Sequence, residues 1–263
     1  MRYGVLSDVH GNLHALRSAL AVMRAAHVDG YLCLGDLIGY GPLPNECVEL
    51  VASIGAVCVA GNHELMALGR LGQEEASDFA RDSLSWTRGV LTEATWTYIA
   101  SLPATTSVSG AVLAHGSLDD PAEYVTSPGR AREQLAGLQH EPEPWTLLLG
   151  HTHHAWAFAA SAGALLHRAP GGVPLARDER YLLNPGSVGQ SRDRLPECRF
   201  LVLDLDAGRA DFQSIPYDLD GCRDALRRHG RPADSCHRRP RPLLEAGRTA
   251  VDLGRRTAKR LGR

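Results

Sequence analysis

One junction recurs along this chain and limits what it can fold into. A short apolar run ends, and a metal-ligand type of residue follows at once beside a glycine. Ser7-Asp8-Val9-His10-Gly11-Asn12 closes the run Tyr3–Ser7, and Gly35-Asp36 follows Tyr31–Leu34. Gly61-Asn62-His63-Glu64 follows Ala56–Ala60, His115-Gly116 follows Val112–Ala114, and Gly150-His151-Thr152-His153 follows Thr146–Leu149. Helical periods separate the first three runs. Over Asn12–Ala26, Leu13, Leu16, Leu20 and Met23 share a face; after Pro44, Cys47, Leu50, Val51 and Ile54 do the same. This βαβαβ order predicts parallel strands with right-handed crossovers. The crevice outside the carboxyl ends of such strands is the usual ligand site.

The remainder divides by pattern. Glu64–Leu102 reads as a helical insertion, best over Ala76–Val90 and Thr92–Ala100, with Pro103 closing it. Short strand-like runs follow at Thr105–Val108, Val112–Ala114, Thr146–Leu149, Ala155–Ala160, Ala164–His167, Tyr181–Leu183, Arg199–Leu205 and Ala210–Ile215, with Ala207-Gly208 as a hairpin turn between the last two. The expected class is α/β, with two packed sheets flanked by helices. Residues 1–222 are expected to form the domain. Residues 223–263 read as a basic tail, with a Pro- and Arg-rich linker over 231–242 and a short helix from Leu243 to Leu261. The formal charge of -2 hides an asymmetry: 13 basic and 4 acidic residues from Arg223 onward, against 15 and 26 before it. Nucleic acid is therefore conceivable only through the tail.

No run of about 18 apolar residues exists, so no membrane span is expected. The start MRYGVLSDVH lacks the apolar core of a signal peptide. Six scattered cysteines without a CxxC pair read as free thiols of a reduced, cytoplasmic protein.

Polar groups at the ends of buried strands cost stability unless paired or bound to a cation. Seven of them in one region point to two divalent ions. Imidazoles, carboxylates and one amide oxygen suit Mn, Fe, Zn, Co or Ni rather than Ca or Mg, and Mn²⁺ is the expected ion. Two such ions roughly 3.5–4 Å apart would turn a bridging hydroxide into a nucleophile, typically for in-line displacement at phosphorus.

The set DVH…GDLIGYG…GNHE…HGS…GHTH resembles the calcineurin-like metallophosphoesterase superfamily, from Asp8 to about Tyr217. The resemblance implies two packed mixed β-sheets covered by helices on both outer faces. It implies one ion on Asp8, His10, Asp36 and His153, and a second on Asp36, Asn62, His115 and His151, with Asp36 bridging. His63 would contact the phosphate and protonate the leaving oxygen, with Glu64 as its orienting partner. GDLIGYGPLPNECVEL, SWTRGVL with IASLP, HGS with EYV, and NPGSVGQSRD resemble the compact bacterial branch related to YfcE and diadenosine-polyphosphatase-like enzymes. The Arg that protein phosphatases carry soon after GD is missing from Leu37-Ile38-Gly39-Tyr40-Gly41.

The expected activity is hydrolysis of a phosphodiester or phosphoanhydride in a small nucleotide-type substrate. A nuclease acting on DNA or RNA ends, and a non-catalytic protein-binding scaffold, remain as alternatives. Tyr40, Asn184 and Arg192 are the candidate substrate contacts. Trp86, Trp96 and Tyr98 read as core, with stacking on a nucleobase as the other option.

Overall fold

The structure, a computed structural model, describes residues 1–138, 146–163, 165–167 and 170–238. In chain order its elements are β1 (Arg2–Leu6), α1 (Leu13–Ala25), β2 (Gly30–Cys33), α2 (Pro44–Ser53), β3 (Val57–Cys58), α3 (Asn62–Ala67), α4 (Asp78–Val90), α5 (Glu93–Ser101), β4 (Thr106–Val108), β5 (Ala111–Leu113), α6 (Pro128–Gly137), β6 (Thr146–Leu148), β7 (Ala155–Ala159), β8 (Leu165–His167), β9 (Gly171–Pro174), β10 (Tyr181–Pro185), β11 (Cys198–Asp204), β12 (Arg209–Ile215) and α7 (Leu219–Arg228).

The strands form two mixed sheets, β3-β2-β1-β11-β12-β9 and β4-β5-β6-β10-β7-β8. β1 and β2 pair in parallel, as do β2 and β3, while β11 joins β1 antiparallel. In the second sheet β5, β6 and β10 are parallel neighbours. Every apolar run in these strands is divided by the pleat, because alternate side chains face opposite sides. Val5, Leu32, Leu34, Leu201 and Leu203 enter one core with Leu113, Leu148 and Leu183 from the other sheet. Their neighbours Leu6, Cys33, Phe200 and Val202 face outward onto Leu16, Leu20 and Val51 of α1 and α2. Val112, Leu147, Trp156, Phe158 and Leu182 face the opposite outer layer, under Ala131 and Leu135 of α6. Both faces of each sheet are thus covered, which explains near-continuous apolar runs instead of alternation.

Helix starts follow local chemistry. The Asn12 side chain accepts from Ala15 N at the head of α1, and Pro44 opens α2, where its missing N–H costs nothing. Three described elements fall outside the sequence reading. Helix α6 begins at Ser127-Pro128 with a good cap, but its buried stripe of Ala131, Gln134 and Leu135 is too thin to read. Strand β9, Gly-Gly-Val-Pro, has no strand-like composition and exists because β12 pairs with it.

Helix α7 corrects the boundary expected at residue 222. It runs through that position, and Cys222 and Leu226 pack with Cys236, Tyr217 and Leu219. The expected linker is packed as far as it is described. Gln190 Nε2 donates to Ser235 O, Arg238 N donates to Ser191 O, and Arg231 pairs with Asp82. The expected tail helix from Leu243 to Leu261 lies outside the described residues. All six cysteines are buried thiols, and no helix among the described residues is long and apolar enough to cross a membrane.

If α7 belongs to the folded body, Leu226→Ala should lower unfolding stability by about 2–4 kcal/mol. A urea midpoint equal to that of the native chain would show α7 to be dispensable.

Candidate metal centre

The three parallel strands of the first sheet and two of the second deliver their carboxyl ends to one rim. Asp8 and His10 follow β1, Asp36 follows β2, and Asn62 and His63 follow β3 at the start of α3. His115 follows β5, and His151 and His153 follow β6. All eight side chains are buried, and the backbone cross-links their loops. His10 N donates to Asp36 O at 2.8 Å, His63 N to Asp36 Oδ1 at 2.9 Å, and Gly150 N to His115 O at 2.8 Å.

The loops are also strained. Among the described residues eight non-glycine positions have positive φ, and six of them are Asp8, His10, Asp36, Tyr40, His151 and His153. Each left-handed residue costs about 1 kcal/mol or more, and such outliers persist where the surroundings over-determine them. At Gly150 any side chain would collide with Ser7 Oγ, which donates to Asp8 Oδ2 at 2.6 Å.

Tautomers follow from the outer partners of the rings. Nδ1–H of His10 donates to Ile38 O at 3.0 Å, that of His153 to Gln190 O at 2.7 Å, and that of His115 to Leu34 O at 2.6 Å. Each commitment turns Nε2 inward. His10 Nε2 and His153 Nε2 then face each other at 3.1 Å, with Asp8 Oδ1 3.2 Å from His153. Asp8 Oδ1 is buried and accepts no hydrogen bond. Asp36 Oδ2 lies 3.6 Å from His10 Nε2 and 3.2 Å from His115 Nε2, and Asn62 Oδ1 lies 3.0 Å from His115 Nε2. His151 is reversed: its Nε2–H donates to Ala122 O at 3.0 Å, which leaves Nδ1 for the centre.

Two groups of mutually close donor atoms result, Asp8 with His10 and His153, and Asp36 with His115 and His151. Converging acceptors without a donor repel one another unless a cation sits between them. The set therefore fits divalent transition metals. A third group joins His63 to His10 and Asp36. His63 Nδ1 is buried without a partner, and its ring lies against Tyr40 (4.7 Å between centroids) and His10 (4.8 Å).

Burial lowers the pKa of His10, His63 and His153, and takes His151 down to about 3. Burial opposes ionisation of Asp36 too, but the surrounding imidazoles, His115 foremost, hold it well below the usual carboxylate range.

The supporting contacts correct two expectations. Glu64 does not orient His63. Its carboxylate accepts from Asp36 N and Gly61 N, both at 2.8 Å, and from Ile38 N at 3.1 Å, and so ties two ligand loops together. Asn184 does not line the rim. It is 0% exposed, and its amide donates to Gly150 O at 2.6 Å and Thr152 Oγ1 at 3.1 Å, which shapes the His151–His153 loop.

Tyr40 and Arg192 do lie at the centre's edge. Tyr40 is mostly covered, with its ring stacked on Phe79, whose own ring carries the Arg238 guanidinium at 4.1 Å. Half-buried Arg192 donates to the hydroxyl of Tyr124 at 3.2 Å. Tyr124, Gln190 and Ser187 were missed as site residues. Ser187 Oγ donates to Asp8 O, and Gln190 O holds His153. The motifs EYV and NPGSVGQSRD contain all three.

His115 supplies a test. Burial alone would lower its pKa, but the Asp36 carboxylate, helped by Asp8, outweighs burial and raises it to about 10. A cation entering at His115 Nε2 would displace this proton. Between about pH 7 and 9, metal loading should release about one proton per chain, and affinity should fall about ten-fold per pH unit lowered. Calorimetry in buffers of different ionisation enthalpy reads this directly. Zero release would mean that the cation does not displace the His115 proton.

With this geometry in place, the comparisons with known proteins are specific. The model of the calcineurin-like phosphoesterase family matches residues 1–184. A solved metallophosphoesterase from Sphaerobacter thermophilus is 32% identical, aligning 90% of this chain with 96% of its own at a TM-score of 0.79. A hypothetical protein from Pyrococcus horikoshii OT3 shares the fold at 17% identity and a TM-score of 0.72, covering 89% of this chain and 96% of that one. An uncharacterized protein of Methanocaldococcus jannaschii is 28% identical over 221 residues, 82% of this chain and 87% of that protein. With the match running from β1 into β10 and taking in all five ligand loops, the chain belongs to the calcineurin-like phosphoesterase family.

Proposed function

We propose that the chain is a dinuclear-metal hydrolase of a phosphodiester or phosphoanhydride bond in a small nucleotide-type substrate. The observation that carries this reading is the pair of inward lone pairs on His10 and His153, 3.1 Å apart, beside the unpartnered Asp8 Oδ1. Asp8, His10, Asp36 and His153 would hold one ion, and Asp36, Asn62, His115 and His151 the other. Mn²⁺ is the favoured ion, with Fe, Zn, Co and Ni as the other metals this donor set accepts. Two such ions supply Lewis acidity toward phosphoryl oxygens and make water at the site acidic near neutral pH.

The chain's own residues then divide the remaining work. His63 enters as a neutral ring, because burial lowers its pKa. A bound phosphate brings negative charge beside it and favours its protonated form. From there His63 protonates the leaving oxygen. Tyr40 restricts the His63 ring from one side, and Gly39, at φ +88°, lies so close that a side chain there would strike His63 Nδ1. Arg192 holds a phosphate oxygen at the rim, where its fork suits two acceptors. The site would work in the cytoplasm, where buried thiols stay reduced. A nuclease reading rests on the basic tail, most of which lies outside the described residues.

A panel of monoesters, diesters, cyclic nucleotides and dinucleoside polyphosphates tests this reading with Mn²⁺-loaded protein. His63→Ala should lower kcat by about 10²–10⁴-fold with unchanged metal content by mass spectrometry. Metal lost along with turnover would make His63 part of the ion cradle. A native chain inert toward the whole panel would sink the hydrolase.

A further inference from the structure

Five large apolar or aromatic side chains stand exposed among the described residues, and Tyr124, at 46%, is the aromatic one. Its position is not casual, because the residues around it are fixed one by one. Ala122 O accepts from His151 Nε2 at 3.0 Å. The Glu123 carboxylate receives Nε and Nη2 of Arg130, both at 2.7 Å. Val125 is buried in the outer core of the second sheet. The segment thus holds the Tyr124 ring against the His151 ring, 4.1 Å between centroids, and its hydroxyl accepts from Arg192 Nη1.

The other aromatic side chains considered are already occupied. Tyr40 is spent on His10, His63 and Phe79, and Phe79 on Tyr40 and Arg238. Trp86 packs with His229 and Arg231, Trp96 packs on the core, and the Tyr98 hydroxyl donates to Cys58 Sγ. Tyr124 alone of this set combines an exposed ring with a neighbouring guanidinium and a metal-ligand imidazole. A ligand that satisfies all three offers an anionic oxygen to Arg192 and a flat ring to Tyr124. Aromatic rings accept bases of any identity, because every base has a π-face.

We propose that Tyr124 is the specificity-determining residue of this site: the nucleobase of the substrate stacks on its ring while Arg192 holds the adjacent phosphate. This rests on the phosphoester reading above and adds the element that tells a nucleotide from other phosphoesters.

The test is binding, read by titration calorimetry on Mn²⁺-loaded protein with two probes, AMP and ribose 5-phosphate, which differ only in the base. Native protein should bind AMP about ten-fold tighter or more. Tyr124→Ala should bring the two affinities together by weakening AMP alone. Tyr124→Phe, which keeps the ring and loses the hydroxyl, should retain the preference. Arg192→Ala should weaken both probes. Equal binding of the probes by a native chain that turns over phosphoesters would overturn the Tyr124 assignment and leave the hydrolase intact. An undiminished AMP preference in Tyr124→Ala would do the same. Native protein that binds neither probe and hydrolyses nothing would overturn both readings together.

Discussion

Acceptor atoms facing one another across a buried centre are the constraint on which the rest of this structure depends. Three backbone carbonyls, those of Leu34, Ile38 and Gln190, each fix a proton on Nδ1 of a histidine and thereby aim the other nitrogen inward. Asp8 and Asp36 aim carboxylate oxygens at the same space. Each group by itself would be an ordinary buried polar residue. Together they form a set that only positive charge makes stable, and the carbonyls deny the rings the tautomer that would relieve it. Choice of cation and choice of tautomer are thus one decision, made by main-chain atoms on two loops, one between β2 and α2 and one between β10 and β11.

Holding such a set in place demands rigidity from the scaffold. Six site residues occupy the left-handed region, where a β-carbon crowds its own backbone. The two covered sheets supply the stiffness. β1, β2 and β3 on one side and β5 and β6 on the other end at the same rim, and their loops exchange backbone hydrogen bonds before any side chain is counted. Glu64 is the clearest example of a residue serving geometry rather than chemistry. Its carboxylate sits in a low-dielectric site that raises its pKa to about 7, through burial first and the Asp36 charge second, and three amide donors from two loops hold it there. Removing it would free the loops without removing a ligand.

How much of this is legible in the sequence depends on whether the signal is local. That the candidate ligand positions meet at one rim was legible, because each sits at the end of an apolar run that must be a strand, and strand ends in parallel sheets share an edge. Helices α1 and α2 were legible from four-residue stripes and a starting Asn or Pro. What stayed hidden was decided by contacts distant in the chain. Strand β9 exists through pairing with β12, and residues 231–238 through contacts with the 190–193 loop and with α4. Asn184 and Glu64 were placed at the site by their motifs, yet their roles turn on which carbonyl or amide lies within 3 Å, and no spacing rule supplies that. Tyr124 was visible only as part of EYV, because exposure beside a candidate metal ligand is a property of the folded chain.

The division between fixed and variable parts of the site follows from the same physics. The ligand loops are bound to one another, so a change in any of them disturbs the others, and their chemistry is narrowly set. The rim is different. The segment carrying Tyr124 touches the centre only at His151, through Ala122 O and the Tyr124 ring, while its other anchors, Glu123 with Arg130 and Val125 in the outer core, lie away from the donor set. The side chain at position 124 supplies no donor atom to the set: its own contacts are the face of the His151 ring, which Ala122 O holds independently, and a hydroxyl shared with Arg192. Selection of substrate can therefore reside there at little cost to metal binding, whereas selection through Tyr40 cannot. That ring is wedged between His10, His63 and Phe79, so any change in it would reach a candidate ligand and the candidate acid at once.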